Sequence, residues 1–145
     1  MLEYKWFGAG ETDKSFVDLR VSVFVNEQGV PRENEFDEYD LVCPHLVIFL
    51  DGEPAATGRY IPYGEKTVKI GRIAVRKDLR GKGLGEKLVA ELLRGAKESG
   101  AQKVALGAQT HAVGFYEKCG FVLTGEPEYM EENIPHMNMY KDLND

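Results

Sequence analysis

The stretch RKDLRGKGLGEKLVAELL, residues 76–93, places a glycine-rich loop directly before an amphipathic helical pattern. Gly81, Gly83 and Gly85 occupy alternate positions, and the apolar helical spacing begins at Leu84. A helix N-terminus leaves backbone N–H groups unpaired and carries a partial positive charge. Glycines before it let the backbone approach a bulky anion and adopt positive φ angles. The stretch therefore predicts a loop that binds phosphate or pyrophosphate, although a glycine-rich turn before a helix needs no ligand.

The elements around this loop alternate between strand and helix patterns. The helix that follows it has Leu84, Leu88, Leu92 and Ala96 on one face and stops at Gly100. Strands are predicted within residues 2–8, 45–64 (two strands joined at the turn 51–54), 66–76, 103–109, 121–125 and 136–143, and further helices within 13–29 and 112–120. The mixture indicates one α/β (α+β) domain over residues 1–145.

Composition excludes several classes of protein. The chain has 145 residues, 43% of them hydrophobic and 29% charged, which is ordinary for a globular protein. No apolar run is long enough to span a membrane, and the N-terminus lacks a secretion signal, so a cytoplasmic protein without a membrane partner is expected. A net charge of -6 argues against nucleic-acid binding. Cys43 and Cys119 are expected to be free, partly buried thiols.

Acidic residues concentrate in RENEFDEYD, residues 32–40. Runs of charge usually form solvated loops. A functional alternative is an acidic rim that attracts a cationic substrate. The sequence leaves both interpretations open.

Two common phosphate-binding loops do not fit the glycine stretch. The nucleoside-triphosphate loop requires Ser or Thr after its Lys, whereas Gly83 follows Lys82. The dinucleotide-binding pattern requires a third glycine where Glu86 or Leu88 stands. Neither of these two patterns is therefore present.

The pattern Arg80-x-x-Gly83-x-Gly85, after the strand residues IAV, resembles the signature of the GCN5-related N-acetyltransferase (GNAT) superfamily. FYEKCGF, residues 115–121, resembles the second signature of that family. The two motifs stand in the family's order across residues 68–121. The stretches 20–29, 106–121 and 128–139 further resemble the ElaA-like branch.

The resemblance implies a mostly antiparallel central sheet, flanked by helices, that splays between its fourth and fifth strands. It also implies that acetyl-CoA binds there as co-substrate, its pantetheine arm pairing with the main chain of Ile73, Ala74 and Val75. The pyrophosphate would be held by Arg80, Gly81, Lys82, Gly83, Leu84, Gly85 and Glu86. Phe115 and Gln109 complete the implied cofactor-binding set; Gln109 would bond the pantetheine amides, or would simply be a satisfied polar strand end.

Tyr116 is the candidate proton donor to the CoA thiolate, because a phenol beside the sulfur can act as general acid; a buried tyrosine bonded to a carbonyl is the alternative. Many relatives carry a Glu base on the fourth strand, but residues 69–72 read Lys, Ile, Gly, Arg. His111, His136 or ordered water remain candidates for the base. Glu27 is a candidate for binding the amine. His45 is expected to be structural, and the three histidines give no metal site.

The resemblance implies an N-acetyltransferase that moves an acetyl group to a primary amine of a small molecule or peptide by direct attack in a ternary complex. A non-catalytic CoA-binding sensor is the first alternative. An acyl-homoserine-lactone-synthase-like acyltransferase is a second one. A homodimer is the commonest arrangement if the protein assembles.

Overall fold

The computed structural model describes residues 1–143, which form a single eight-stranded sheet with helices packed on it. The strands are β1 Leu2–Phe7, β2 His45–Leu50, β3 Glu53–Gly64, β4 Thr67–Val75, β5 Lys103–Gln109, β6 Val122–Leu123, β7 Tyr129–Glu131 and β8 Ile134–Asp142. Their spatial order is β1-β2-β3-β4-β5-β8-β6, with β7 paired to β8. Every pair is antiparallel except β4–β5. The mixed α/β fold class predicted from the sequence is confirmed.

The helical elements are α1 Lys14–Arg20, a π-helical stretch Val21–Glu27, α2 Arg32–Glu35, α3 Leu84–Glu98 and α4 Val113–Lys118, with short 3-10 turns at Glu38–Leu41, Lys77–Leu79 and Thr110–Ala112. Asp13 caps α1, its carboxylate accepting from the backbone N–H of Ser15 at 3.0 Å. The helix predicted from Asp13 to just before Gly29 is present. Its second half is wound as a π-helix and is rich in β-branched residues, which disfavour a regular α-helix.

The core lies between α3 and the sheet. Leu84, Leu88, Leu92 and Ala96 are all buried, as their spacing predicts. Burying each leucine side chain contributes about 1.5–3 kcal/mol. The helix lies so close to β3 that a Cβ on Gly58 would stand 2.8 Å from Leu92 Cδ1. A side chain there would have to displace the Leu92 methyl group.

The sheet opens between β4 and β5, which are paired only at Thr67–Lys103, Val68–Val104 and Lys69–Ala105. Beyond Lys69, β4 follows β3, whereas β5 stays paired with β8 up to Gln109. A bulge in β4 places Arg72 at φ +50°. The predicted splay between the fourth and fifth strands is confirmed, and it leaves one backbone edge of β4 unpaired with β5 from Ile70 onward.

The acidic segment 32–40 is only partly solvated, and three of its five carboxylates are paired. Glu35, Asp37 and Asp40 form ion pairs with arginines from α1, β3 and β4. Glu35 is 3% exposed, whereas Glu33 and Glu38 do face solvent. The sequence interpretation was incomplete because it treated the carboxylates without their partners, which are distant in the chain. In the described chain, no helix is long and apolar enough to cross a membrane.

Candidate functional site

A cleft of about 960 Å³ occupies the opening between β4 and β5. Its walls include Ile73, Ala74 and Val75 of β4, the glycine loop, and parts of α4 and of the β7–β8 hairpin. The cleft thus joins the segments that the sequence singled out separately. Tyr116, Phe115, Gln109, His111, His136 and Glu27 also line it.

The glycine loop has the backbone geometry that its sequence predicts. Gly81 and Gly83 adopt φ of +77° and +84°, values that favour glycine over any residue with a side chain. Gly83 is the N-cap of α3 and no side chain caps this end. The N–H groups of the first helical turn are therefore directed to the cleft without a partner inside the helix. A site of this kind suits a phosphate or pyrophosphate group.

Gly85 serves a different purpose from the two glycines before it. A Cβ at this position would lie 3.0 Å from Phe115 Cζ and 3.8 Å from Val75 Cγ2. The absence of a side chain lets the aromatic ring of α4 pack directly against the start of α3. Leu84 is buried beneath the loop, and the Lys82 and Glu86 side chains face solvent.

Arg80 contacts the N-terminal helical segment. Its guanidinium donates to both carboxylate oxygens of Glu27, at 2.5 and 2.8 Å, and to the Val75 carbonyl at 3.0 Å. The hydrogen bonds from Arg80 hold the pKa of Glu27 below its usual value. The Glu27 carboxylate, a candidate for binding the amine, is therefore engaged in this structure, and an amine would compete with Arg80 for it.

The neighbouring residue Gln28 reaches the opposite side of the cleft. Its amide pairs reciprocally with that of Gln109 at the end of β5, at N–O distances of 2.9 and 3.3 Å. Glu27 and Gln28, here called the strap, thus connect both sides of the opening: Arg80 follows β4 and Gln109 ends β5. Gln109 is a satisfied polar strand end in this state, as one of the two sequence interpretations had it.

Tyr116 lies half-buried on α4 between Phe115 and Phe121. The ring centroids are 5.1 and 6.1 Å away and the rings meet edge to face. Burial, followed by the adjacent Cys119, raises the pKa of the Tyr116 phenol. Its hydroxyl has no hydrogen-bond partner within residues 1–143. The phenol is consequently protonated at neutral pH and available to a bound group, and it is not tied to a carbonyl as the alternative supposed.

The two candidate histidines are held differently. His136 on β8 is 7% exposed, and its Nδ1 lies 2.7 Å from the Ile134 carbonyl. Because a carbonyl can only accept, Nδ1 carries a proton and Nε2 of the neutral ring presents a lone pair. The Glu131 carboxylate lies 3.9 Å from that Nε2. His111 is exposed and its Nε2 contacts the Gln109 Oε1 at 2.8 Å, so there Nε2 is the donor.

The buried cluster behind the cleft does not favour a metal. Ligand atoms of Asp40, Cys43 and His45 lie within 4.8 Å of one another. However, Arg20 Nη1 lies 2.6 Å from Asp40 Oδ1 and 3.3 Å from His45 Nε2. The guanidinium already supplies the cation that this group would bind. Burial also raises the pKa of the Cys43 thiol to about 11, so the free thiol is uncharged at neutral pH.

Sequence reasoning pointed to His136 in the β7–β8 wall of the cleft but did not identify the residues around it. Tyr129, Glu131 and Glu132 line it, and Tyr129 stacks on His136 with centroids 5.6 Å apart. β7 is only three residues long, so it gave no periodic signal. Arg72 also lines the cleft and was not recognised; Glu35, which lines it too, was considered only within the acidic stretch 32–40.

These features define an acyltransferase fold, and the chain belongs to the acetyltransferase (GNAT) family, whose model matches residues 14–121. It is similar to the N-acetyltransferase YjcF of Bacillus subtilis, with 39% identity over 127 residues, 86% of this chain and 88% of YjcF. Among solved structures, Escherichia coli ElaA is 30% identical, with a TM-score of 0.86 over 98% of this chain and 100% of ElaA. A Bacillus subtilis acetyltransferase solved in complex with CoA shares the fold, with a TM-score of 0.74, 24% identity and coverage of 99% and 100%.

Proposed function

We propose that this protein transfers an acetyl group from acetyl-CoA to a primary amine of a small molecule or peptide. The observation that carries the proposal is the open edge of β4 leading to the uncapped, glycine-bounded N-terminus of α3. A linear cofactor with a pyrophosphate fits both parts at once. The fold shared with an acetyltransferase solved in complex with CoA supports this choice.

In the proposed complex, the pyrophosphate accepts hydrogen bonds from the backbone between Gly81 and Glu86. The pantetheine arm then runs along Val75, Ala74 and Ile73 as an added strand. A backbone N–H of β4 near the bulge would stabilise the oxyanion that forms on the thioester carbonyl. Because the amides of Gln28 and Gln109 pair with each other, Gln109 must exchange that partner to bond the arm.

The reaction is a direct transfer in a ternary complex. The amine nitrogen attacks the thioester carbonyl carbon and gives a proton to a base. The C–S bond then breaks, its electron pair goes to sulfur, and the Tyr116 hydroxyl protonates the departing sulfur. The products are an amide and CoA thiol, and the Tyr116 phenolate regains a proton from solvent.

His136 is the better supported of the two candidate bases. The hydrogen bond from its Nδ1 to the Ile134 carbonyl leaves the Nε2 lone pair available in a buried site, 3.9 Å from the Glu131 carboxylate. His111 presents its Nε2 as a donor to Gln109 and is exposed. Ordered water between the amine and His136 is an equivalent route for the proton.

Calorimetric titration with acetyl-CoA tests the cofactor site. Wild-type protein is expected to bind one equivalent, and Gly83→Glu is expected to lose that binding, because it adds negative charge and a side chain at φ +84°. Gly125→Glu is the matched control. Gly125 is exposed, lies away from the cleft and has φ +92°, so this variant adds the same charge and a similar backbone strain. If wild-type protein fails to bind, or both variants lose binding equally, the proposed pyrophosphate site is wrong.

Turnover separates an enzyme from a sensor that only binds CoA. A screen of amines for thiol release is expected to find an acceptor, and Tyr116→Phe should reduce turnover about 10²-fold while keeping affinity for acetyl-CoA. Unchanged turnover in that variant would remove Tyr116 from the mechanism. Binding without turnover on any amine would favour the sensor.

A further inference from the structure

The strand register indicates where along β4 and β5 the acyl group of a bound CoA thioester would lie. The last paired residues of β4 and β5 are Lys69 and Ala105. Two residues further along each strand, Gly71 and Gly107 face the same side of the sheet as that last pair. Both line the cleft, close to the point where the strands separate.

The proposed cofactor enters this cleft from the other end. Its pyrophosphate lies at the start of α3, beyond Val75, so the pantetheine arm runs back along β4 toward the bulge at Arg72. The thioester then lies near Ile73. Whatever is attached to the carbonyl points toward Gly71 and Gly107.

The two glycines differ in how much free space lies over them. A Cβ at Gly71 would meet no atom within 4 Å, so the cleft is open there. A Cβ at Gly107 would lie only 2.3 Å from the Tyr129 hydroxyl oxygen. The phenol thus occupies the position that a side chain on β5 would fill, and it closes this end of the cleft.

Tyr129 is held in place by its own hairpin. It pairs with His136 across β7 and β8, and the two rings stack with an interplanar angle of 25°. Burial, followed by the charge of Glu131, raises the pKa of Tyr129, so the phenol is uncharged in the cleft. Within residues 1–143 its hydroxyl has no hydrogen-bond partner, which leaves it as a wall of the cleft.

We propose that Tyr129, resting on Gly107, closes the acyl end of the cleft and restricts the donor to acyl groups about as small as acetyl. This inference rests on the proposed function, because it requires a CoA thioester in the opening between β4 and β5. It assigns Tyr129 to specificity for the acyl group and gives it no part in bond making or breaking. Gly107 is the matching requirement on β5, since any side chain there would displace the phenol.

Binding measurements test this proposal without knowledge of the amine. Dissociation constants for acetyl-CoA and butyryl-CoA are compared by calorimetry for wild type, Tyr129→Phe and Tyr129→Ala. Wild type is expected to bind acetyl-CoA about tenfold or more tightly than butyryl-CoA, because the extra methylenes of the butyryl group would be forced into filled space. The ratio of the butyryl-CoA to the acetyl-CoA dissociation constant should fall to about one in Tyr129→Ala. It should take an intermediate value in Tyr129→Phe, which keeps the ring and loses only the oxygen.

The matched control is Tyr4→Ala, an exposed tyrosine on β1 at the far edge of the sheet, which should keep the wild-type ratio. The proposal is overturned if wild type binds both thioesters equally, or if the ratio is unchanged in both Tyr129 variants. Should Tyr129→Ala fail to fold, the ratios of dissociation constants for wild type and Tyr129→Phe still test the proposal. Failure of wild type to bind any CoA thioester is a separate result that removes the proposed function itself.

Discussion

The surroundings of the Tyr116 phenol, the proposed proton donor, determine its protonation state. Its ring is held edge to face between Phe115 and Phe121, and its hydroxyl meets the cleft. Burial raises its pKa because the phenolate would lose solvation. A higher pKa makes the phenol a weaker acid, yet it also guarantees that the proton is present at working pH. In the proposed reaction, the phenol would donate that proton when charge develops on sulfur.

Alkaline titration gives a direct check of that environment. Unfolded tyrosine ionises near pH ~10, whereas folded Tyr116 keeps its proton to higher pH. Above pH ~10 the unfolded state therefore binds fewer protons than the native state, and the free energy of unfolding falls as pH rises. We expect wild type to lose more stability than Tyr116→Phe in this range, measured by urea unfolding.

The ionisation of Tyr116 can be followed directly by the phenolate absorbance of wild type and Tyr116→Phe as pH rises. The difference between their spectrophotometric titrations isolates Tyr116 from the other six tyrosines of the chain, whose total is seven. A difference curve with its midpoint near pH ~10 would contradict the buried environment of this residue.

At the scale of elements, the segment that contains α2 and the following 3-10 turn is held by charge in place of an apolar face. Arg20 is 0% exposed and donates to Glu35 and Asp40, while Arg59 and Arg72 bind Asp37. Three arginines therefore face three carboxylates. This group of six side chains, here called the clamp, fixes one wall of the cleft.

Asp40→Asn tests how much the clamp contributes. Removing one carboxylate leaves three arginines facing two carboxylates, since Arg20 keeps Glu35 and Arg59 keeps Asp37. Breaking a buried pair costs up to about 3–5 kcal/mol. Urea unfolding is expected to show a loss of that order. Asp18→Asn is the matched control, because Asp18 pairs with Lys14 on an exposed helix face and should change stability little. Equal effects of the two substitutions would show that the clamp does not hold the segment.

Asp37 and Asp40 of the clamp also predict a direction for acid sensitivity, whereas burial raises the pKa of Glu35. Burial alone would raise the pKa of Asp37 and Asp40, but bonds and charges from Arg59, Arg20 and His45 outweigh it and lower both. Such carboxylates contribute stability above their unfolded pKa of about 3.9. That contribution is lost progressively as pH falls below this value.

Local sequence predicted the elements whose signals are local. The helix α3 was recognised from leucines at helical spacing and from glycines at both ends. The glycines before it also predicted the positive φ angles of the loop. The clamp was not recognised, because Glu35 is buried only by virtue of Arg20 and Arg72, which lie 15 and 37 residues away in the chain. A single sequence gives no signal for such pairing.

On the scale of the whole molecule, the site exists because the sheet is incomplete. β4 and β5 share only three pairs, and the backbone edge that remains offers hydrogen-bonding groups to a ligand. The strap, the glycine loop, α4 and the β7–β8 hairpin converge on this gap from distant parts of the chain. The family resemblance anticipated the splay and the loop. Tyr129 could not be anticipated, since its position depends on how the hairpin lies across β8 onto Gly107.

The strap has unlike attachments on its two sides. Glu27 and Arg80 form an ion pair whose side chains are 28% and 39% exposed, whereas Gln28 and Gln109 join through neutral amides. Dissolved salt screens the first and leaves the second almost unaffected. Rising ionic strength therefore loosens the strap beside the glycine loop and keeps it tied at β5, so the opening responds to salt from one side only.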